Sequence, residues 1–405
     1  MRAHIEEAIV LAKALVFAAK PVPARSTMSI LQHVRLAILG TRLEVTATDL
    51  DLEHRAIVEV TGAADGIAVV PAGRLAGLVS ALPPDAGVEL VLEDQALRIQ
   101  CRRGRYRLPT LPAADFPPPL AVDPDAVAFT LQAADARALC DRLRYAASDE
   151  ELRYYLTGVN VQEQHGRLVC VSTDGHRLAQ VTLEVDPGRD LNVIMPAHTV
   201  ETLKMLAGVG DVQVAIDAAK INLTAGPWSA ASKLIDASFP DYRRVIPVAS
   251  SNQVTIPRPD LLAVLKRLKG VSCRASEKEP ISVGITWDDR KADVEFCLPR
   301  DAANVETLES SAVSGAAAVA VKLDYLVETL EALSRQAVCF DHSGPGSPVL
   351  ITAPDDPLEP ALAVIMPMAE VAWHRDEPPA GEVHQFKAKP RGRASSRAPE
   401  PGDAA

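Results

Sequence analysis

Long apolar runs are missing from this chain of 405 residues, and with no stretch of about 18 consecutive apolar residues no transmembrane helix is expected. A secretory leader is missing too. Met1 to Lys20 carries Glu6 and Glu7 inside an amphipathic pattern and lacks the uncharged apolar core and small-residue cleavage site of a signal peptide. Cysteine is scarce: the six stand at 101, 140, 170, 273, 297 and 339, with no C-x-x-C and no close pair. Such scattering reads as reduced core residues of a cytoplasmic protein, not as disulfides or zinc ligands. No Gly-rich phosphate loop, no H-E-x-x-H and no G-x-S-x-G occurs, so the common catalytic signatures are absent and no cofactor or metal is called for. An excess of positive charge is lacking as well. The net charge of -11 argues against bulk attraction to nucleic acid, while leaving room for a local basic lining. What remains is an ordinary globular composition, 48% hydrophobic and 23% charged, long enough for two to four cores.

The stretch Thr173-Asp174-Gly175-His176-Arg177-Leu178 organises the rest. Arg167 to Ser172 before it and Ala179 to Val185 after it alternate as strands, so Asp174-Gly175 is expected to be a hairpin turn. Gly takes the positive φ of such a turn, and Asp bonds its own backbone. The turn has an echo: Asp174 stands 125 residues after Asp49, Pro196 stands 125 after Pro71, and Phe239 stands 123 after Phe116. Three offsets in register point to a duplication.

The first copy begins with a helical stripe, Ile5 to Ala19. Strands follow at Val34–Leu39, Leu43–Thr48 and Ala56–Val60, then a short helix from about Ala72 to Leu82, then strands at Val88–Leu92, Ala96–Arg102 and Tyr106–Leu108. The second copy has a helix over Ala133–Ala146, strands at Thr157–Gln162 and Arg167–Ser172, a helix from about Ala197 to Leu206, and strands at Val212–Ile216 and Ile221–Thr224. A fainter third copy has helices at Pro259–Lys269 and Lys322–Leu333, with strands at Ile281–Trp287, Asp293–Leu298, Ala337–Asp341, Val349–Thr352 and Ala361–Met366. The expected fold is α+β: three repeated units, 1–124, 125–249 and 250–368, each with two helices and about eight short strands. The remainder, 369–405, is rich in Pro, Gly, Ala and Arg and reads as a disordered tail.

Five segments then carry a resemblance. Thr110 to Pro117, Arg153-Tyr154-Tyr155-Leu156-Thr157-Gly158, Thr173 to Ala179, Phe239-Pro240-Asp241-Tyr242-Arg243-Arg244-Val245-Ile246-Pro247 and Val364-Ile365-Met366-Pro367-Met368 resemble the signature segments of the bacterial DNA polymerase III beta subunit family, the replicative sliding clamps. The resemblance covers about residues 1 to 368, in order. It implies three repeated DNA-clamp domains per subunit, helices packed on antiparallel sheets, and a homodimer closed head-to-tail around double-stranded DNA. It also implies a non-catalytic processivity role, with the DNA polymerase III catalytic subunit, the clamp loader, and other clamp-binding polymerases and repair proteins as partners.

Such a ring needs cations facing phosphate without reading sequence. Arg137 and Arg144 lie seven apart on one helix; Lys266 and Lys269 lie opposite the Leu261, Leu265 and Leu268 stripe; Lys13, Lys20 and Arg25 sit in or after the first helix. Arg153, Tyr154 and Tyr155 are expected to face DNA with them. Closure needs complementary edges. Arg102, Arg103, Arg105 and Arg107 crowd one strand with Tyr106 and Leu108, and the third unit offers Glu295, Asp301, Glu306 and Glu309. By the resemblance, Tyr106 and Leu108 meet residues near Cys273, where family members usually carry large aliphatics and this chain has Ser272-Cys273-Arg274. A partner-peptide groove is implied at Leu156, Thr173, Gly175, His176, Arg177 and Leu178, with Pro240, Arg244 and Val245, and with Val364, Met366, Pro367 and Met368. There apolar side chains would form pockets, and Arg and His at the rim would bond a peptide. Departing from the family's usual ending, Ala369-Glu370 and a tail with Lys387, Lys389, Arg391, Arg393 and Arg397 follow.

Two other readings compete with this one. Asp174 and His176, two apart on a strand, would share a face and pose as a metal or acid–base pair, but a third ligand or nucleophile at fitting spacing is missing. An accessory clamp-like scaffold, binding partner peptides but closing weakly around DNA, is the other alternative.

Overall fold

The structure, a computed structural model, describes residues 1–248, 250–272, 280–289, 293–298, 301–344, 346–353 and 362–368, with the side chains of 301–303 left aside. Cys273 and the tail 369–405 lie outside the described residues.

Chain order begins β1 (Arg2–Ile5), α1 (Ala8–Ala18), β2 (His33–Leu39), β3 (Arg42–Thr48), β4 (Leu52–Glu59), β5 (Thr61–Ala64), β6 (Gly66–Pro71), α2 (Ala72–Ser80), β7 (Val88–Glu93), β8 (Ala96–Cys101) and β9 (Gly104–Pro109). It continues with β10 (Val127–Leu131), α3 (Ala133–Leu143), β11 (Gly158–Gln164), β12 (Arg167–Thr173), β13 (Arg177–Leu183), β14 (Asn192–Pro196), α4 (Ala197–Leu206), β15 (Val212–Ile216), β16 (Lys220–Ala225) and β17 (Trp228–Lys233). The last group is β18 (Gln253–Pro257), α5 (Arg258–Val271), β19 (Ser282–Asp288), β20 (Asp293–Leu298), β21 (Asp301–Glu309), β22 (Ala312–Ser314), β23 (Ala316–Lys322), α6 (Leu323–Ala332), β24 (Ala337–His342), β25 (Val349–Thr352) and β26 (Leu362–Ile365). The helices pack in sequential pairs, α1 on α2, α3 on α4 and α5 on α6.

Among the described residues, four antiparallel sheets carry them. Two are local: β5-β1-β7-β8-β9 and β21-β20-β19-β23. The other two run across the repeats. An eight-stranded sheet, β10-β15-β16-β17-β4-β3-β2-β6, joins through the β17–β4 ladder, and a nine-stranded sheet, β14-β11-β12-β13-β26-β25-β24-β18-β22, joins through β13–β26. The inner faces and the helices enclose two cores, one running through α1 to α4 and one around α5 and α6.

At one joint the core includes a buried imidazole. His54 on β4 is fully buried and its ring stacks on Phe17 of α1 at 4.5 Å, with Phe17 stacked in turn on Trp228 at 4.7 Å. The Phe17 carbonyl, 2.9 Å from Nδ1, can only accept, so Nδ1 of the neutral ring donates, and Nε2 lies 3.0 Å from the Thr202 hydroxyl, whose one proton also has the His198 carbonyl within reach at 2.9 Å. Burial pushes the His54 pKa down to about 4, outweighing the Phe17 bond that raises it.

Several sequence expectations change. The stripe begun at Ile5 splits: Arg2 to Ile5 is a strand inserted between β5 and β7, and the helix begins at Ala8. Ala3 and Ile5 are its inward residues, a two-residue signal too short to separate from the helical stripe beside it. Val16, placed in that stripe, is 60% exposed. The helix begun at Ala133 ends at Leu143 and tightens into a 3-10 turn over Arg144–Ala146. Strands β17 and β23 escape detection because they are Trp-Ser-Ala-Ala-Ser-Lys and Ala-Ala-Ala-Val-Ala-Val-Lys. Such small residues carry weak strand propensity, and pairing decides their conformation: β17 lies between β16 and β4, and β23 pairs along its length with β19.

Candidate partner-peptide groove

A sheet that packs helices on one face usually shows polar residues on the other. Around the β13–β26 joint both faces are apolar. Leu168, Cys170, Ala179 and Val181 point inward, with Ala363 and Ile365. The alternate residues Val169, Val171, Leu178 and Val364 point the other way and form a separate buried cluster with Tyr242, edged by Phe239, Ile246, Leu350 and Leu362. Register explains it: Leu178 faces Val364 across the joint, and Val364 faces Leu350. The segment Phe239 to Ile246 roofs part of this face. Its 3-10 turn Tyr242–Val245 holds the Tyr242 hydroxyl 3.0 Å from the Gln164 amide nitrogen, which donates to it.

The lip of the groove stays open. Met366 is 38% and Val245 41% exposed, and Pro240 and Arg244 are exposed beside them. Pro367 and Met368 are half-buried, the latter anchored by its N–H to the Ala320 carbonyl at 2.9 Å. Leu156 is buried at the end of the 3-10 turn Glu151–Leu156. The cluster residues Val169, Val171, Phe239, Tyr242, Leu350 and Leu362 were missed from the sequence. A signal existed: Leu168-Val169-Cys170-Val171 is a continuous apolar run, the mark of a strand buried on both faces.

The turn beside the groove is a hairpin loop, with Gly175 at φ +89°. Asp174 and His176 sit in this loop between β12 and β13, so the shared-face geometry weighed for a metal or acid–base pair is not formed. Asp174 Oδ1 accepts from the N–H groups of His176 and Arg177 at 2.8 and 2.9 Å, and the Thr173 hydroxyl donates to the Arg177 carbonyl at 2.6 Å. The His176 carbonyl accepts the Met366 N–H at 2.8 Å, tying turn to lip, while the His176 ring is exposed. Arg177 is placed differently from a rim residue. Its side chain is 10% exposed, paired with Asp174 at 3.1 Å and with Glu328, and its guanidinium lies 4.3 Å from the Tyr325 ring and 5.2 Å from Tyr145. It clasps the hairpin to α6. Arg153 lies against Gly175, where a Cβ would come 2.9 Å from its Nη1, and pairs with Glu150 at 2.9 Å, holding that carboxyl below its usual range.

The helix cations are largely engaged. Arg144 pairs with Glu201 at 2.9 Å, Lys266 with Glu331 at 2.9 Å and Lys269 with Asp324 at 2.8 Å; Arg137 donates to the Ala207 carbonyl at 2.6 Å. Arg25 is exposed after α1, and Tyr154 is exposed with its ring edge-on to Tyr155. Of the residues expected at a closing interface, Arg105, Tyr106, Arg107 and Leu108 fall on the edge strand β9 and Asp301, Glu306 and Glu309 on the edge strand β21, whereas Arg102 and Arg103 lie in the turn before β9 and Glu295 on the inner strand β20. Arg103 and Arg105 are exposed and Tyr106 is 39% exposed, but Leu108 packs into the subunit's own core at 9%. Glu306 already binds Arg267, at 2.8 Å, which holds its carboxyl below the usual range. Among the described residues, no group of three or more His, Cys, Asp or Glu could hold a metal ion, and no helix is long and apolar enough to cross a membrane.

An antiparallel framework repeated three times around paired helices, with an apolar groove at one joint, is the build of a sliding clamp. The description of the DNA polymerase III beta subunit N-terminal domain matches residues 1–121, and that of its central domain matches 130–241. The chain is 31% identical over 386 residues to the beta sliding clamp of Caulobacter vibrioides, covering 91% of this chain and 100% of that one. It is 30% identical over 363 residues to that of Pseudomonas aeruginosa, covering 88% and 97%. Among solved structures it is similar to DNA polymerase III subunit beta from Pseudomonas aeruginosa, at TM-score 0.82, 28% identity and 91% and 100% coverage. The sliding clamp of Bartonella birtlesii bound to griselimycin gives 0.82, 29%, and 91% and 99%. The chain belongs to the bacterial DNA polymerase III beta subunit family, and its function is that of a sliding clamp.

Proposed function

We propose that the chain works without catalysis of its own, as a homodimeric ring of three domains per subunit, 1–124, 125–249 and 250–368, closed around double-stranded DNA in the cytoplasm. The groove at the β13–β26 joint takes an apolar-aromatic segment of the DNA polymerase III catalytic subunit, of the clamp loader, or of other polymerases and repair proteins. The observation that carries this is the outward-facing apolar floor, Leu178 and Val364 with Val169 and Val171, on a sheet already buried on its other face. The helical elements present Arg137, Arg144, Lys266 and Lys269 toward phosphate, joined by Arg25 from the segment after α1. Closure brings the arginine-rich edge β9 against the acidic edge β21, so that opposite charge sets which edges meet.

The test is retention on DNA of two shapes. The protein is loaded on a nicked circle by its loader, free protein is removed, and the circle is cut once. Loss on cutting is expected; equal retention on both shapes refutes the ring. The ion pairs that occupy Arg144, Lys266 and Lys269 favour a second reading, an accessory clamp-like scaffold that binds peptides but closes weakly. In the same assay it gives no retention on the circle, with peptide binding intact.

A further inference from the structure

The duplication extends to individual hydrogen bonds, and through them it defines a second cleft. Asp49 Oδ1 accepts from the N–H groups of Asp51 and Leu52 at 2.9 and 2.7 Å, as Asp174 Oδ1 does from His176 and Arg177 at 2.8 and 2.9 Å. The Thr48 and Thr173 hydroxyls accept from Leu50 and Gly175 at 3.0 and 3.1 Å, and those two residues share a positive φ, 85° and 89°. Strands β4 and β13 therefore correspond residue by residue, with Glu53 in the place of Leu178. Their partners correspond too: Glu53 faces Ala231 on β17 as Leu178 faces Val364 on β26. A segment that follows Phe116 roofs the first joint as the segment that follows Phe239 roofs the second.

The floors differ. Large apolar side chains fill the second joint. At the first, the small side chains of Ala128, Ala215, Ser229 and Ala231 leave a cleft of about 600 Å³ around Glu53. That volume is of the size that holds a ligand, roughly 300–1,000 Å³. Glu53 is 3% exposed. One of its oxygens accepts from Arg55 at 3.0 Å; among the described residues the other has only the roof's Leu120 N–H, at a long 3.4 Å. Arg55 is shared with Glu44, 3.5 Å away, and Asp123 adds a second carboxylate to the lining. Burial, the largest influence on it, pushes the Glu53 carboxyl upward despite Arg55.

We propose that this first-joint cleft is a second peptide site, which takes an extended segment offering a lysine or arginine side chain to Glu53 between small apolar neighbours. A cation there would give the under-bonded oxygen a charge-assisted donor and offset the burial of the carboxylate. The proposal rests on the peptide-groove reading for the precedent of the strand pair and its roof.

The probe is an acetylated, amidated hexapeptide, Ala-Leu-Arg-Leu-Ala-Pro, titrated by calorimetry into the full chain beside a twin carrying citrulline for arginine. The arginine peptide is expected to bind with Kd below about 1 mM, and the neutral twin about tenfold more weakly. Glu53→Gln should bring the arginine peptide to the level of its twin, and Ser229→Trp, which fills the floor, should abolish binding. Because Glu53 belongs to a charge network, thermal melts of both variants check folding, and the twin comparison on the unaltered chain needs neither variant. No binding at about 5 mM, or equal binding of the twins, overturns the proposal. Binding lost instead in Val245→Ala/Met366→Ala would place the peptide in the second-joint groove and overturn it too. Failure of the groove reading itself shows separately, as a polymerase peptide that binds that double variant as well as it binds the unaltered chain.

Discussion

Met366 and Val245 form the open lip of the second-joint groove, and truncating both tests it without disturbing the fold. Met366 is 38% and Val245 41% exposed. Against full accessible areas of about 200 and 160 Å² these leave about 140 Å² to be covered by a docked segment, worth about 3.5 kcal/mol at about 25 cal/mol per Å². Truncation to Ala removes about two thirds of that area, so Val245→Ala/Met366→Ala should cost about 2 kcal/mol of binding, about 30-fold in Kd. The assay is fluorescence anisotropy of a labelled peptide from a clamp-binding polymerase, with a thermal melt alongside. Leu178 would be a poorer choice. It is 2% exposed, and Leu178→Ala would cost about 2–5 kcal/mol of stability, confounding any loss of binding. A change in Kd below about threefold, with the melt unmoved, would refute the assignment of the lip.

Arg177→Ala should destabilise the chain by about 2–4 kcal/mol in denaturant unfolding, because it strands the buried side of Asp174 and removes two cation–π contacts; a loss below about 1 kcal/mol would mean that the clasp carries little. His54 binds its proton less readily folded than unfolded, with its pKa lowered from 6.5 to about 4. Its stabilising contribution is therefore complete above about pH 6.5 and is lost as pH falls toward 4, by about 1.4 kcal/mol per pH unit. Stability curves of His54→Gln and the parent chain over that range should converge at low pH; parallel curves would remove His54 from the acid response.

The repeat and the turn were legible because they are local. Asp174-Gly175 and Asp49 announce their turns within four residues, and the structure repeats both hydrogen-bond sets. The α2 and α4 helices stand close to their expected starts because Pro71 and Pro196 precede them. What stayed hidden was non-local. Nothing in Trp228 to Lys233 tells that it pairs with β4, 172 or more residues earlier, and the outward floor of the groove exists only once β26 lies against β13. Arg177 read as a rim residue because its partners Tyr325 and Glu328 arrive from a distant helix. Leu108 and Tyr106 alternate with arginines as an exposed strand would, yet Leu108 lines up with Leu97 and turns into the core.

The ladder between β17 and β4 has a consequence for how this chain can be divided. The duplicated stretch of sequence and the separable piece of protein are not the same object. A fragment ending near residue 124 would carry β4 as a raw edge, its amide groups unpaired where β17 had been, and one ending near 249 would do the same with β13. Such pieces would be prone to stick to one another. The same stitching leaves each joint without a soft hinge, so any opening of the assembly must be spread as a slight change of twist over eight or nine strands at once.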